Sequence, residues 1–145
     1  MINDFSGRYS FLSNFYPSPV VYDGMEYPTV EHAYQAAKTL NPAEREQIRN
    51  LKKKDGFPWP GEAKRVGRRV TLRKDWELVK LDIMRLLLVQ KFSRSDLKRA
   101  LVETGTRHLV EGNWWGDTYW GVCKGEGNNY LGRLLMTIRS EINVF

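Results

Sequence analysis

The chain has 145 residues, with 23 Lys or Arg against 17 Asp or Glu, a formal net charge of +6, and 41% hydrophobic residues. That length suits one compact domain, read as residues 1–145, and the apolar share excludes a disordered chain. No apolar run reaches bilayer length, no basic-then-apolar leader opens the chain, and the single cysteine, Cys123, excludes an internal disulfide, so a cytoplasmic protein with no membrane partner is expected.

The predicted elements run as follows. Residues 5–16, FSGRYSFLSNFY, are aromatic-rich and read as extended. Val20, Val21 and Tyr22 precede an Asp23-Gly24 turn signal, which predicts a short hairpin. Thr29 reads as the N-cap of a helix over 30–40. Asn41 caps a second helix to about 51, with Pro42 in its first position and Glu44 completing a capping-box pattern. A rigid loop over 55–61 leads into a short helix over 61–69. Residues 75–92 form the most apolar helix, and its second half, MRLLLVQKF, reads as buried on more than one face. A helix starts at Ser93 or Ser95 and runs to about 103, and 107–111 reads as a short strand. A Gly/Trp-rich loop over 112–127 precedes a last helix, from Asn128 or Asn129 to about 143. The expected fold is mainly α with a small β element.

Three groups of residues carry possible chemistry. On the helix over 30–40, Glu31, Tyr34, Gln35 and Lys38 share one face, while Ala33, Ala36, Ala37 and Leu40 share the other. A carboxylate, a phenol, an amide and an amine thus stand together, although the same pattern also fits a solvated face. In the loop GNWWGDTYWGVCKGEGNN, Trp114, Trp115, Tyr119 and Trp120 surround one acid, Asp117. Aromatic faces stack on flat heterocycles, and an acid among aromatics is desolvated; equally, Asp117 could simply cap a turn in an aromatic core. On the last helix, Leu131, Leu134, Leu135, Ile138, Ile142 and Phe145 form an apolar stripe. Beside it, Asn128, Gly132, Met136 and Arg139 form a polar shelf at a helix start suited to phosphate. A structural ion pair is the other reading of Arg139.

The charge suits a phosphorylated small molecule, nucleic acid, or merely a solvated surface, and Lys52-Lys53-Lys54 is too short a run to argue for nucleic acid. Cys123, His32 and His108 fall into no metal-ligand spacing and no P-loop is present, so the expected chemistry uses no metal and no cofactor.

Several segments, in order along nearly the whole chain, together resemble the YbiA-like, or NADAR, family. They are FLSNF at 11–15, YPTVEHAYQAAK at 27–38, Gly67-Arg68, Arg73-Lys74-Asp75-Trp76 with Met84, Trp115-Gly116-Asp117, and GEGNNYLGRLLMTIR at 125–139. The resemblance implies a mainly helical fold and hydrolysis of an N-glycosidic bond in a phosphoribosylamino-pyrimidine of the riboflavin pathway. Other members of the family remove ADP-ribose from guanine bases, so nucleic acid enters only as an ADP-ribosylated substrate. A non-catalytic module that binds ADP-ribose or an NAD derivative is the rival class. Glu31 and Asp117 are the expected catalytic acids; which one faces the ribosyl carbon and which the leaving nitrogen is left open by the sequence. Lys38 is the third catalytic candidate; binding phosphate is its preferred role, and attack of its amine on an opened sugar is the alternative. Asn14, Phe15, Tyr34, Gln35, Arg68, Trp115, Gly116, Trp120, Asn128 and Arg139 are expected to bind substrate. Many members carry an acid shortly before the SNF motif, whereas this chain has Arg8-Tyr9-Ser10, and its loop after Asp117 reads TYWGVCKGEG. Both departures touch the expected substrate site. Oligomeric state is left open by the sequence.

Overall fold

A computed structural model describes residues 1–143. The chain divides into two compact units, Asn14–Lys91 and a second made of Met1–Ser13 with the chain from Phe92 on.

In the first unit, β1 (Val20–Tyr22) and β2 (Met25–Tyr27) form the expected hairpin, with Val20 opposite Tyr27 and Tyr22 opposite Met25. Asp23 and Gly24 both have positive φ, 50° and 80°. That is the backbone a two-residue hairpin turn requires if its twist is to match the strands. Helix α1 (Val30–Ala37) begins where Thr29 caps it, the Thr29 hydroxyl accepting from the His32 N–H. Around α1 pack α2 (Pro42–Arg49), α3 (Pro60–Gly67), α4 (Trp76–Lys91) and the hairpin. All eight residues of α1 are buried. Its "polar" face is therefore no solvated face but the inside of the unit. The small side of α1 packs as expected at Ala33, Ala36 and Ala37, but Leu40 lies past the helix end and is 63% exposed.

Two further expectations for this unit need correction. Glu44 does not close a capping box on α2. Asn41 alone caps, accepting from Ala43 N–H, while the Glu44 carboxylate turns to the Thr39 hydroxyl and the Thr71 N–H. Those two donors outcompete the Asn41 N–H, which bonds the Thr39 hydroxyl oxygen instead. On α4, Ile83, Met84, Leu87 and Leu88 are buried, but Leu86 and Val89 are exposed. At 3.6 residues per turn only one stripe of the run meets its neighbours.

In the second unit, residues 7–12 are not extended but form a 3-10 helix (Gly7–Leu12), with Gly7 at φ 58° opening it. The Tyr9 and Ser13 N–H groups find partners three residues back, at Ser6 and Ser10, which an extended chain does not allow. Only Leu12 of that segment is buried. Helix α5 (Ser95–Glu103) packs on this 3-10 turn and on α6 (Tyr130–Asn143). The strand expected over 107–111 shrinks to a single parallel bridge between Ile2 and Leu109. The ladder forms just beyond it, where β3 (Gly112–Asn113) runs parallel to β4 (Val122–Cys123). A Cβ on Gly112 would lie 2.1 Å from the Asn3 carbonyl oxygen, so the glycine permits that close approach. Of the apolar stripe on α6, Leu131, Leu135 and Ile138 are buried; Phe145 lies outside the described residues. Among the described residues no helix is long and apolar enough to cross a membrane.

Candidate active site

Two clusters hold the residues singled out from the sequence, one in each unit. The first is built on α1. Glu31 sits in its first turn, where the helix dipole favours negative charge. The side chain is only 7% exposed, and the Gln35 amide, one turn on, donates to Glu31 Oε1 at 2.9 Å. Gln35 is held in turn by α3: a Cβ on Gly67 would lie 2.0 Å from Gln35 Oε1. Glycine at 67 therefore lets the two helices close on this side chain. Asn14 joins the cluster through its carbonyl, which accepts from the Glu31 N–H at 3.1 Å, and its amide reaches Met84 Sδ at 3.6 Å. Tyr34 is buried, with the Trp76 ring of α4 tilted against it at 5.1 Å between centroids.

Lys38 ends the helix, half-buried, its Nζ 5.7 Å from the centroid of the Tyr34 ring. Burial pushes its amine below the usual lysine range. Glu31 opposes that shift, and the positive charges of Arg68, Lys80 and Lys64 add to it. A half-buried amine and a buried carboxylate thus influence each other within a basic surround. Gln35 Oε1 and Asn14 Oδ1 are both buried with no hydrogen-bond partner among the described residues. An unmet buried acceptor costs about 1–3 kcal/mol, which marks both oxygens as points where a donor group is wanted. Phe15 is 42% exposed and Arg68 is exposed at the end of α3. Lys64 and Lys80 were not singled out from the sequence. Their signal was there in part: Lys80 is one helical turn beyond Trp76.

The second cluster is the Gly/Trp loop. Asp117 Oδ1 accepts from the Tyr119 N–H at 3.1 Å and the Trp120 N–H at 2.9 Å, so the carboxylate caps its own turn. Asn113 holds the same turn from the other side, accepting from Asp117 N–H and donating to its carbonyl. Trp120 is half-buried, edge-on to Tyr119 at 4.8 Å, and Tyr119 in turn leans on Tyr130 at 4.8 Å. Trp115 is 48% exposed and stands edge-on to Trp114, which is 85% exposed. Gly116 has φ 89°, a left-handed turn that places the two Trp residues ahead of Asp117. Asn128 is exposed. Its neighbour Asn129 is the residue built in: its amide donates to the Leu109 carbonyl and its Oδ1 accepts from the Glu111 N–H. Arg139 is 7% exposed and donates to the Thr104 hydroxyl at 2.9 Å; among the described residues it forms no ion pair.

The structure thus brings Asn14, Glu31, Gln35 and Lys38 together, and separately brings Asp117 and Trp120 together. Glu31 belongs to one unit and Asp117 to the other. Among the described residues no group of three or more His, Cys, Asp or Glu is arranged to hold a metal ion.

Comparison with known proteins gives this arrangement a context. The Escherichia coli protein named N-glycosidase YbiA is 39% identical over 143 residues, spanning 96% of this chain and 85% of that one. A Nostoc punctiforme protein also named as an N-glycosidase is 38% identical, over 92% and 86% of the two chains. The maize riboflavin biosynthesis protein PYRR is 40% identical over 90% of this chain, which matches 23% of that longer protein. The NMR structure of E. coli YbiA superposes with a TM-score of 0.81 at 38% identity, over 99% of this chain and 86% of that one. A NADAR domain match runs over residues 3–143, nearly the full length. The chain belongs to the NADAR family.

Proposed function

We propose that this protein hydrolyses the N-glycosidic bond of a phosphoribosylamino-pyrimidine, an intermediate of the riboflavin type, and does so as a single NADAR domain over its whole length. The enzyme class rests on family membership together with relatives named as N-glycosidases that align with nearly the whole chain. The substrate class is supported by the riboflavin name of the maize relative and by the basic surround of the α1 cluster.

The observation that carries the chemistry is the Glu31–Gln35–Lys38 arrangement. Cleavage of the bond develops positive charge on the ribosyl carbon. Glu31, fixed by the Gln35 amide and the helix start, supplies a positioned carboxylate against that charge. Lys38, its amine pushed down by burial, exchanges a proton more readily near neutral pH than an exposed lysine does. That favours amine chemistry for Lys38, either protonation of the departing nitrogen or attack on an opened sugar. The phosphate then falls to Arg68, Lys64 and Lys80. Asp117 is carried as the second acid, and Tyr34, Asn14, Phe15, Trp115, Gly116, Trp120, Asn128 and Arg139 as substrate contacts.

Incubation with ribosylamino-pyrimidine phosphates, ADP-ribosylated guanosine and NAD, with released base read by mass spectrometry, tests this. Base released from the pyrimidine compound alone supports the reading. Release from ADP-ribosylated guanosine instead transfers the activity to the other substrate class in the family. Binding of ADP-ribose with no release from any compound marks a binding module.

A further inference from the structure

A second basic site lies within the unit that carries α5 and the 3-10 turn. A cleft of about 370 Å³ opens there, lined by Arg8, Tyr9, Phe11, Glu103, Thr104 and Arg107 among others. Its volume is that of a small-ligand pocket. Arg107 is exposed but anchored: its Nε donates to the Thr104 carbonyl at 3.0 Å, and its Nη1 to the Tyr9 hydroxyl at 2.9 Å. Both guanidiniums address the same ring, with Arg8 4.9 Å and Arg107 5.7 Å from the Tyr9 centroid. A third, Arg139, is more than nine-tenths buried and bonds the hydroxyl of Thr104, a residue of the cleft wall. None of the three takes part in an ion pair among the described residues. Glu103 is the acid on the wall, and three guanidiniums outweigh it. The ordinary reading, that Arg107 merely caps the end of α5, explains its bonds to carbonyls. It leaves unexplained why a second arginine gathers on the same tyrosine and a buried third stands one hydrogen bond away. Repulsion from Arg107 joins burial in lowering the affinity of Arg139 for its proton. An anion in the cleft would relieve that cost.

We propose that this cleft binds the phosphate group of a small, nucleotide-sized metabolite, Arg8 and Arg107 gripping its oxygens while Tyr9 and Phe11 flank the rest. Guanidinium forks match phosphate oxygens in geometry as well as in charge. The phosphate belongs either to a separate phosphorylated effector or to the substrate itself, in which case Arg8 and Arg107 take the phosphate role given above to Arg68, Lys64 and Lys80. The site does not depend on the N-glycosidase reading.

The test is a pyrophosphate titration of the full chain at low salt, followed through backbone amide NMR shifts, for the native protein, Arg8→Gln and Arg107→Gln. Saturable shifts at Arg8, Tyr9, Thr104 and Arg107 are expected, with affinity falling about tenfold in Arg8→Gln, the loss of one charge-assisted contact. Among the described residues the Arg8 side chain makes no hydrogen bond, so that variant keeps the test sound even if Arg107→Gln unfolds. Absence of shifts at these amides, or equal affinity in Arg8→Gln, overturns the proposal. Steady-state kinetics then separate the two sources. A KM raised by Arg8→Gln only for the phosphorylated substrate, with kcat kept, assigns the site to the substrate. Unchanged kinetics with lost pyrophosphate binding assigns it to an effector. If no substrate turns over, the NMR arm still decides the site.

Discussion

The α1 cluster and the Gly/Trp loop each hold one of the two expected acids, yet they treat it differently. Glu31 is buried and bonded by a side-chain amide that is itself pinned by another helix. Asp117 is half-buried and bonded by backbone N–H groups of its own loop, two and three residues on. The first carboxylate is held by tertiary packing, the second by local chain geometry. A carboxylate that caps its own turn is accounted for by local geometry; a buried carboxylate coupled to a half-buried amine, as Glu31 is to Lys38, is the arrangement met at reactive sites.

The largest expected effect breaks the α1 cluster. Glu31→Gln keeps the shape, leaves the protein folded by circular dichroism, and lowers kcat by about 10²-fold or more, the range of a positioned acid or base. Turnover within a few-fold of native would remove Glu31 from the chemistry.

Asp117 sharpens the comparison, because an amide can still accept the two loop N–H groups. Asp117→Asn therefore preserves the cap and removes only the charge. If Asp117 is the second acid, turnover falls about 10²-fold in this variant. Near-native turnover in Asp117→Asn, with loss only in Asp117→Ala, would make it a turn-capping residue.

Smaller effects are expected from the supports of each region. Trp120→Ala weakens substrate binding about tenfold, as expected for one lost stacking contact, with the melting temperature little changed. Unchanged affinity in a folded variant would place the ring in the core. Gly67→Ala forces Gln35 off its site and costs about 1–3 kcal/mol of stability through overpacking. Turnover falls with it, because Glu31 loses its donor; native turnover would show that the Gln35 bond is dispensable.

The mildest prediction concerns pH. His32 is fully buried between the Thr29 hydroxyl and the Leu51 carbonyl, and burial lowers its affinity for a proton below the ordinary value of 6.5. The unfolded chain then binds a proton that the folded chain refuses. The stability from neutral His32 is complete above pH 6.5 and is lost as pH falls toward the lower folded value. Chemical denaturation between pH 7.5 and about 5 should show this decline, flattened in His32→Gln. An equal slope in both proteins would trace it to other groups.

Much of this was legible in the sequence because it is local. The Asp23-Gly24 turn, the Thr29 and Asn41 caps and the common face of Glu31, Tyr34, Gln35 and Lys38 need only neighbouring residues and the helical period. The tertiary structure alone decided what each of those groups meets. Glu44 formed its bonds with Thr39 and Thr71 because the chain returns there, 27 residues later in the case of Thr71. The "polar" face of α1 became interior because α3 and α4 close over it, which no periodicity encodes. Within 5–16, read as extended, residues 7–12 became a 3-10 helix because hydrogen bonds between near neighbours outweighed the aromatic preference for extended chain. Spacing along the chain decides which side chains share a face; only the packing of distant segments decides whether that face meets water, another helix or a substrate.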